Sequence, residues 1–306
     1  MLPKFPTFVP LNLEDKEKYN TIIADHPPYT DFLFATLHIW WNLGDQLSIS
    51  STHKNLVINY YQPFDKENTG LCLIGKEKID ESIKDIFEYL KKENKPIRLI
   101  HVPEFVIKNI IDKKNLIIKE EKDYAEYILD TEQLSKLEGH KYYDLRYQVK
   151  RFMREVDGKP LEIRSLDLSL QNNKEEIKNY ISKWEKENPT HNDPGHTEKL
   201  ALEKSLSNAV DLELENIAVY IDGELYGIVI YHRPLKKEYY VLHHMKVSYN
   251  IPFISDYIYH QLAKKAQNEG VSLLNIEMDL GNEKLKRHKL RLSPVTFFKK
   301  YTISPK

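Results

Sequence analysis

The sequence is short of cysteine and of glycine, and both shortages exclude whole classes of site. A single cysteine, Cys72, allows neither an intrachain disulfide nor a zinc site built from cysteines, which fits a reducing compartment. Only 10 glycines occur in 306 residues, about half of the usual share of roughly 7 %. They lie apart, and neither G-x-G-x-x-G nor G-x-x-x-x-G-K-[ST] can be formed from them. Dinucleotide binding of the Rossmann type and P-loop nucleotide chemistry are therefore not expected.

The sequence also lacks a long apolar run and an excess of charge of either sign. The uncharged stretch from Phe32 to Gly44 is shorter than the ~20 apolar residues of a membrane span. Lysine and arginine number 45 against 46 for aspartate and glutamate, which argues against a globally basic nucleic-acid binder. The first residues show no basic-then-apolar signal peptide. We expect a cytoplasmic protein without integral membrane contact.

What the sequence does contain is one pattern of elements that occurs twice. Each half is predicted to run strand, helix, helix, hairpin, strand, helix, strand, and Asp222-Gly223 marks a type I′ turn in the second hairpin. The pattern repeats with little residue identity. It predicts an α/β fold of mixed α+β type with two similar domains, residues 1–157 and 158–306, and a basic helix that bridges them.

A predicted strand near the end of the chain carries three polar side chains on one face. From Leu273 to Leu280, alternation places Asn275, Glu277 and Asp279 opposite the apolar residues. The two carboxylates could supply a general base that deprotonates an amine or hydroxyl. A solvated edge strand, or salt bridges to the lysines that follow, gives the same pattern. We expect no metal site, because this face offers too few ligands.

Two basic segments stand out in this nearly neutral chain. One runs from Glu283 to Tyr301, and the other is a predicted helix from Tyr142 to Val156. Together they could cradle a phosphate-bearing ligand, although a solvated helix face is the commoner explanation of any one basic row. The cations that matter for this hypothesis are Lys286, Arg287, Lys289 and Arg146.

Two adjacent histidines lie on the strand predicted from Tyr239 to Val247. Because neighbouring residues of a strand point to opposite faces, His243 and His244 cannot share a ligand. His243 alternates with apolar residues and is predicted to be a core histidine, whereas His244, close to Lys246, is the candidate site residue.

Three stretches of the sequence carry a resemblance to a known family. They are Asp123-Tyr-Ala-Glu-Tyr-Ile-Leu-Asp130 with the segment leading to Arg146 and Phe152, the run Asn275-x-Glu-x-Asp-Leu-Gly281, and Leu285-Lys-Arg-His-Lys-Leu290 with Ser293-Pro294 and Lys300-Tyr301. Over nearly its whole length the chain resembles the bacterial family grouped with the C-terminal domain of phosphatidylglycerol lysyltransferase (DUF2156).

This resemblance implies two tandem GNAT-like (acyl-CoA N-acyltransferase-like) domains, related to Fem-type aminoacyltransferases. Lysyltransferase members take an aminoacyl group from charged tRNA and place it on a lipid headgroup. Glu277 and Asp279 match the family pattern, whereas Met245 stands where the family tends to carry glutamate. In a GNAT domain a glycine-rich loop holds the pyrophosphate of coenzyme A. Here the segment Ser248 to Ser255 has no glycine and contains Pro252, which argues against ordinary acetyl-coenzyme A binding.

The residues and the resemblance together predict an acyltransferase with its site in the second domain and the acceptor either between the two domains or at the mouth of the second. It would move an acyl or aminoacyl group from a phosphate-bearing donor, acyl-CoA or aminoacyl-tRNA, to an amine or hydroxyl of a lipid headgroup or peptide, with no tightly bound cofactor. Glu277, with Asp279 behind it, is the expected base, and Tyr249 or Tyr301 would protonate the leaving group. Backbone N–H groups from Lys246 to Tyr249 would hold the oxyanion. The residues expected to bind substrate or donor are Arg146, His244, Lys246, Asn275, Lys286, Arg287 and Lys289.

Two alternatives use the same residues differently. A non-catalytic protein could sense or carry a phosphorylated metabolite, a lipid headgroup or tRNA in the basic cleft, and the missing glycine-rich loop favours it. A purely structural interaction domain predicts instead that Glu277 and Arg287 pair with each other.

Overall fold

The computed structural model describes residues 2–41, 47–60, 69–187 and 197–306. Contacts divide the chain into two compact units that do not follow its order. Unit 1 consists of Met1–Glu126, Met278–Gly281 and Phe298–Lys306, and unit 2 of Tyr127–Glu277 and Asn282–Phe297. The predicted boundary at residue 157 separates two runs of sequence pattern and stays a prediction.

Strands and helices alternate along both units. Within the described ranges the strands are β1 (Val9–Pro10), β2 (Ser48–Thr52), β3 (Asn55–Tyr60), β4 (Gly70–Ile74), β5 (Leu99–Pro103), β6 (Leu116–Glu120), β7 (Glu126–Asp130), β8 (Leu161–Arg164), β9 (Leu214–Ile221), β10 (Glu224–His232), β11 (Tyr239–Val247), β12 (Leu273–Asn275), β13 (Thr296–Phe298) and β14 (Lys300–Pro305). The α-helices are α1 (Lys16–Ile23), α2 (Phe34–Thr36), α3 (Ile79–Lys92), α4 (Glu104–Lys108), α5 (Thr131–Lys136), α6 (Tyr143–Glu155), α7 (Gln171–Glu187), α8 (Thr197–Ser207), α9 (Ile254–Asn268) and α10 (Glu283–Arg291). A π-helical turn, Leu37–Trp41, continues α2, and short 3-10 helices are Leu13–Asp15, Thr30–Phe32, Lys122–Tyr124 and His140–Tyr142.

The predicted order of elements occurs twice. Unit 1 runs β1, α1, α2, the hairpin β2–β3, β4, α3 and β5, and unit 2 runs β8, α7, α8, the hairpin β9–β10, β11, α9 and β12. Both hairpins turn through two residues of positive φ, His53 and Lys54 in one and Asp222 and Gly223 in the other, as a type I′ turn requires. In each run the last two strands pair in parallel. The predicted α/β class is thereby confirmed.

In the part of the chain that the structure describes, each unit contains one seven-stranded sheet in which a strand from a distant part of the chain is inserted. The order in unit 1 is β1-β2-β3-β4-β5-β14-β6, so the last strand of the chain lies between β5 and β6. The order in unit 2 is β13-β7-β12-β11-β10-β9-β8, so β7 lies beside β12. These pairings are antiparallel and long in sequence separation, and they explain why the two units interleave along the chain.

In each unit, apolar residues along one side of a helix are buried in the core. In unit 1, Ile79, Ile83, Ile86 and Leu90 of α3 recur at helical spacing and are each at most 3 % exposed. In unit 2 the apolar stripe of α6, formed by Leu145, Val149 and Phe152, is buried. The ring of Phe152 stacks on Tyr257 of α9 with 4.3 Å between centroids. The basic helix that was expected to bridge the domains is thus part of the core of unit 2.

Candidate active site

An opening in the sheet of unit 2 is the place where chemistry is expected. Strands β11 and β12 pair in parallel only from Tyr239 to Val241 and from Leu273 to Asn275. There β12 ends, whereas β11 continues to Val247 with β10 on its other side. Ligands of open α/β sheets bind in the crevice outside the carboxyl ends of the strands. The opening beyond Asn275 is therefore the candidate active site.

The strand predicted from Leu273 to Leu280 is wrong in its second half. It ends at Asn275, whose side-chain Oδ1 accepts a 2.9 Å hydrogen bond from the backbone N–H of Glu277. Such a local turn gives the backbone an alternative to the sheet ladder. Glu277 then adopts a left-handed φ of 60°, and Leu280 one of 54°. The alternation that placed Asn275, Glu277 and Asp279 on one strand face consequently does not hold.

A bulge in β11 sets the environment of His243. Ile230 pairs with His244, and the next residue of β10, Tyr231, pairs with Leu242, so His243 is the extra residue. Bulges of this kind redirect side chains and are frequent beside active sites. His243 Nε2 shares a 2.7 Å hydrogen bond with Nδ1 of His232, and the two rings stack with centroids 4.8 Å apart.

His243 and Glu277 face each other across the opening. His243 Nδ1 lies 3.9 Å from Glu277 Oε1; the histidine side chain is fully buried, and that of the glutamate is 22 % exposed. Burial, together with the neighbouring His232 and His244, holds the pKa of His243 well below its ordinary value, so its imidazole is neutral. Among the described residues Nδ1 of His243 has no hydrogen-bond partner. The predicted core histidine is buried as expected, and it also adjoins the predicted base.

His244, the histidine preferred from the sequence, contacts helix α8. Ser205 Oγ donates to Ala201 O at 2.9 Å and therefore accepts from His244 Nε2, also at 2.9 Å. Burial and then the charge of Lys246 lower the pKa of His244 to about 3. His244 thus fixes α8 against β11, and its role in substrate binding stays a prediction.

Lys246 and Tyr249 lie at the end of β11 beside a buried tryptophan. The Lys246 ammonium is 2.6 Å from Glu198 Oε1 and 4.2 Å from the centre of the Trp184 ring. Trp184 Nε1 donates to Val247 O at 2.7 Å. Tyr249 is 56 % exposed, with its ring centroid 5.9 Å from that of Trp184, so its phenol is reachable from solvent.

Two of the backbone N–H groups after β11 are engaged. The N–H of Ser248 donates to Tyr226 O at 2.8 Å, and that of Asn250 to Ser248 Oγ at 3.3 Å. Pro252 has no N–H to offer. One of the donors predicted for an oxyanion, the N–H of Ser248, is therefore not available to it.

Lys286 and Arg287, predicted to hold donor phosphates, lie at the surface of α10. Lys286 Nζ is 3.6 Å from Glu283 Oε1, and Arg287 Nε donates to the Glu283 carbonyl oxygen at 3.2 Å. Among the described residues the ion pair of Glu277 with Arg287, which a structural interaction domain predicts, is not formed. Both cations remain within reach of a ligand in solvent.

Lys289 and Arg146, predicted for the same task, donate to backbone carbonyls instead. Lys289 is 5 % exposed, and its ammonium donates to Ile276 O at 2.6 Å. Arg146 donates to the carbonyl oxygens of Leu137 and Gly139. The first contact supports the turn that carries the predicted base, and the second caps α5. Phosphate binding by either residue stays a prediction.

Asp279 and Tyr301, also predicted for the site, belong to unit 1. Asp279 is 2 % exposed, and its Oδ1 accepts a 2.8 Å hydrogen bond from the Gly281 N–H. Tyr301 lies in β14, where burial raises its pKa. Their catalytic roles stay predictions, and the acid–base candidates within unit 2 are Glu277 and Tyr249.

Among the described residues, no group of three or more metal-ligating side chains comes together. No helix in the same ranges has the length and apolar character to cross a membrane.

Residues 33–304 match the model of the family described as phosphatidylglycerol lysyltransferase, C-terminal. The chain belongs to this family. Membership confirms the resemblance seen in the sequence. The order of elements that occurs in both units agrees with the two tandem GNAT-like domains that the resemblance implies. It supports acyl or aminoacyl transfer as the general class of activity. No curated protein matches the chain significantly.

Solved structures share the fold of this family member. A conserved protein of unknown function from Bacteroides thetaiotaomicron is 20 % identical over 100 % of both chains, with a TM-score of 0.83. The C-terminal domain of a putative lysylphosphatidylglycerol synthetase from Agrobacterium fabrum is 13 % identical, covering 96 % of this chain and 92 % of its own, with a TM-score of 0.67. L-PGS from Bacillus licheniformis is 14 % identical over 85 % of this chain and 84 % of its own, with a TM-score of 0.54. At these identities the likeness establishes the fold.

Proposed function

We propose that this family member transfers an aminoacyl group from charged tRNA to an amine or hydroxyl, with Glu277 as the general base. One observation carries the proposal. The turn after β12 presents the Glu277 carboxylate, partly open to solvent, at the opening between β11 and β12, 3.9 Å from the buried His243. A base in this position can meet an acceptor that enters from solvent.

The reaction follows from that placement. As the acceptor nitrogen or oxygen attacks the ester carbonyl of the donor, its proton moves to Glu277. The tetrahedral intermediate then collapses, the bond from the carbonyl carbon to the ribose oxygen of the tRNA breaks, and that oxygen takes a proton. Tyr249 supplies this proton and regains one from solvent, while Glu277 releases the acceptor's proton. His243 stays neutral, so it places no positive charge beside Glu277 that would weaken the carboxylate as a base.

The loop after β11 favours aminoacyl-tRNA over acyl-CoA as the donor. A pyrophosphate is held by a run of free backbone N–H groups at a helix N-terminus. Here two of the N–H groups between β11 and α9, those of Ser248 and Asn250, already have acceptors, and Pro252 has no N–H. The aminoacyl ester at the end of a tRNA contains no pyrophosphate and so does not need these N–H groups. The acceptor in this proposal is an amine or hydroxyl on a lipid headgroup or peptide, and the reaction takes place in the cytoplasm.

A non-catalytic protein that carries tRNA or a phosphorylated metabolite is the second candidate. The same engaged loop favours it, because a family member that has lost a donor site still keeps a basic surface. Transfer activity separates the two candidates, since a carrier binds its ligand without releasing a product.

The test is transfer of radiolabelled amino acid from charged total tRNA to phosphatidylglycerol vesicles and to a peptide amine. Glu277→Gln should lower the rate by roughly 10² to 10⁴ while leaving the fold intact, because it removes the base but keeps the shape. Glu283→Gln, on the exposed start of α10, is the matched control and should keep full activity.

Three results would change the proposal. Full activity of Glu277→Gln would remove Glu277 from the role of base. Transfer from acetyl-CoA and none from charged tRNA would replace the donor. Binding without transfer from either donor would favour the carrier.

A further inference from the structure

We propose that the exposed face of α6 is the surface on which the RNA part of the donor docks. This inference rests on the proposed function, because it names the contact that would bring charged tRNA to unit 2. The face is defined by Tyr143, Tyr147, Lys150 and Arg154, and it is called the α6 face below.

The four residues form one stripe along the helix. They occupy positions i, i+4, i+7 and i+11, which successive turns of an α-helix bring to the same side. Tyr143 is 60 % and Tyr147 50 % exposed, and both cations are exposed as well. The helix is anchored from behind, because its opposite side, with Phe152, lies in the core of unit 2.

The charged residues of this stripe, Lys150 and Arg154, are both positive, although the chain as a whole carries a formal net charge of −1. The two acids of α6, Asp144 and Glu155, fall about 100–120° away from Tyr143 around the helix. Arg154 also packs its guanidinium 6.0 Å from the centre of the Tyr147 ring. The α6 face therefore combines cations with two solvent-exposed aromatic side chains one helical turn apart.

That combination matches single-stranded RNA. Such strands are held by cations that follow the backbone and by aromatic rings on which bases stack. A lipid surface would call for exposed aliphatic side chains, phenylalanine or tryptophan. Helix α6, which is described over its full length, exposes only tyrosines and Met153 among its large hydrophobic residues.

Helix α6 also contacts the loop that follows β11. Arg151, about 80° around the helix from Tyr143, places its guanidinium 4.9 Å from the centre of the Phe253 ring. Phe253 is the residue before α9 and closes the loop that follows β11. The helix that would carry the RNA therefore contacts, within unit 2, the loop where the ester must arrive.

The experiment measures binding of uncharged total tRNA and of a fluorescein-labelled 12-nucleotide single-stranded RNA by anisotropy, at several salt concentrations. Tyr143→Ala/Tyr147→Ala should weaken binding at least tenfold, whereas Tyr143→Phe/Tyr147→Phe, which keeps the rings, should bind like the parent protein. Lys150→Ala/Arg154→Ala should weaken binding and reduce the slope of log affinity against log salt by about 1.4, since each phosphate contact on a single strand contributes roughly 0.7. Lys91→Ala/Lys92→Ala, on the exposed end of α3, removes the same charge and should change nothing.

The outcomes separate this inference from the proposed function. The inference is overturned if the α6 variants, shown by circular dichroism to be folded, bind RNA like the parent, or if the parent binds no RNA. It is also overturned if the parent binds phosphatidylglycerol vesicles but not RNA, and Tyr143→Ala/Tyr147→Ala abolishes the vesicle binding. If the α6 variants still transfer amino acid from charged tRNA at the parent rate, the proposed function is supported and the inference about the α6 face is not. Lost transfer in Glu277→Gln with normal RNA binding supports both.

Discussion

Buried histidines make the stability of unit 2 depend on pH. A histidine in an unfolded chain takes up a proton near pH 6.5, whereas burial and Lys246 lower the pKa of His244 to about 3 in the folded protein. Burial with Arg291 and Lys289 likewise lowers the pKa of His288 to about 4. The unfolded state therefore binds more protons below pH 6.5, and the free energy of unfolding falls as the pH falls from 6.5 toward these values.

Replacing His244 should remove its share of this pH dependence. Between pH 7.5 and 5 one such histidine costs the folded state ~2 kcal/mol, so urea unfolding of His244→Asn should lose that much less stability than the parent over the same interval. His140→Asn changes an exposed histidine and should follow the parent. If His244→Asn and the parent have equal slopes, His244 does not stay neutral in the folded protein.

At the level of residues, the sequence predicts Glu277 as the base but does not predict that His243 lies beside it. Alternation along β11 assigns His243 to the core, and its burial agrees. Its contact with Glu277 depends on one extra residue in the pairing of β10 with β11, and the register of two strands is a property of both, not of either alone. A His-His dipeptide in a strand without glycine or proline gives no local signal of a bulge.

An ion pair between a half-buried arginine and a buried aspartate joins two helices of unit 2. Arg291 Nη2 at the end of α10 donates to both carboxylate oxygens of Asp256 in the first turn of α9, at 2.8 and 3.0 Å. Asp256 is 1 % exposed, and burial raises its pKa even though Arg291 opposes the shift. Helix α10 also carries Lys289, which holds the carbonyl of Ile276 just before the candidate base.

Removing the arginine alone should be costly. Arg291→Met leaves the Asp256 charge buried without its partner, and we expect a loss of about 3–5 kcal/mol in unfolding free energy, measured by urea denaturation. The double variant Asp256→Asn/Arg291→Met removes the charge as well and should recover much of this loss. Lys286→Met, an exposed change on the same helix, should cost under ~1 kcal/mol. A double variant no more stable than Arg291→Met would show that packing by the arginine, not its charge, stabilises α9 and α10.

Elements that depend on local signals were predicted well. The Asp222-Gly223 turn, the buried stripe of α6 and the repeated order of strands and helices follow from residue spacing alone. The strand from Leu273 was extended too far, because the pattern continues to Leu280 whereas the Asn275 side chain ends the ladder. Periodicity detects a face that could be buried, and it cannot detect a side chain that competes for the backbone.

On the scale of the whole molecule, each sheet is completed by residues far away in sequence. β14 enters the sheet of unit 1 between β5 and β6, and β7 lies beside β12 in the sheet of unit 2. These strands bring Tyr301 opposite Glu120 and Leu274 opposite Leu129. No local pattern encodes partners so distant, so the sequence predicts the repeated order of elements but not which distant strands complete each sheet.

Within unit 1 the last strand is fixed by a buried cluster of charges. Lys300 of β14 is fully buried, forms an ion pair with Asp31 and lies 2.8 Å from Glu126 Oε1. The Glu126 carboxylate also accepts from Thr30 N at 2.9 Å and from Thr30 Oγ1 at 2.8 Å. Although burial opposes it, the Asp31 and Glu126 carboxylates raise the pKa of Lys300. One side chain thus ties together three segments that are far apart in the chain.

Lys300→Met should therefore destabilise the protein far more than the same change one residue earlier. It leaves the Asp31 and Glu126 carboxylates buried without a cation, a loss of about 3–5 kcal/mol or more by urea denaturation. Lys299→Met removes an exposed lysine 3.7 Å from Glu120 and should cost under ~1 kcal/mol. Because unpaired buried carboxylates take up protons more readily than they do when unfolded, the deficit of Lys300→Met should shrink as the pH is lowered from 7 toward 5. A deficit independent of pH would assign the loss to packing of the lysine stem in the sheet, and equal losses in the two variants would mean that the charge cluster does not hold β14 in place.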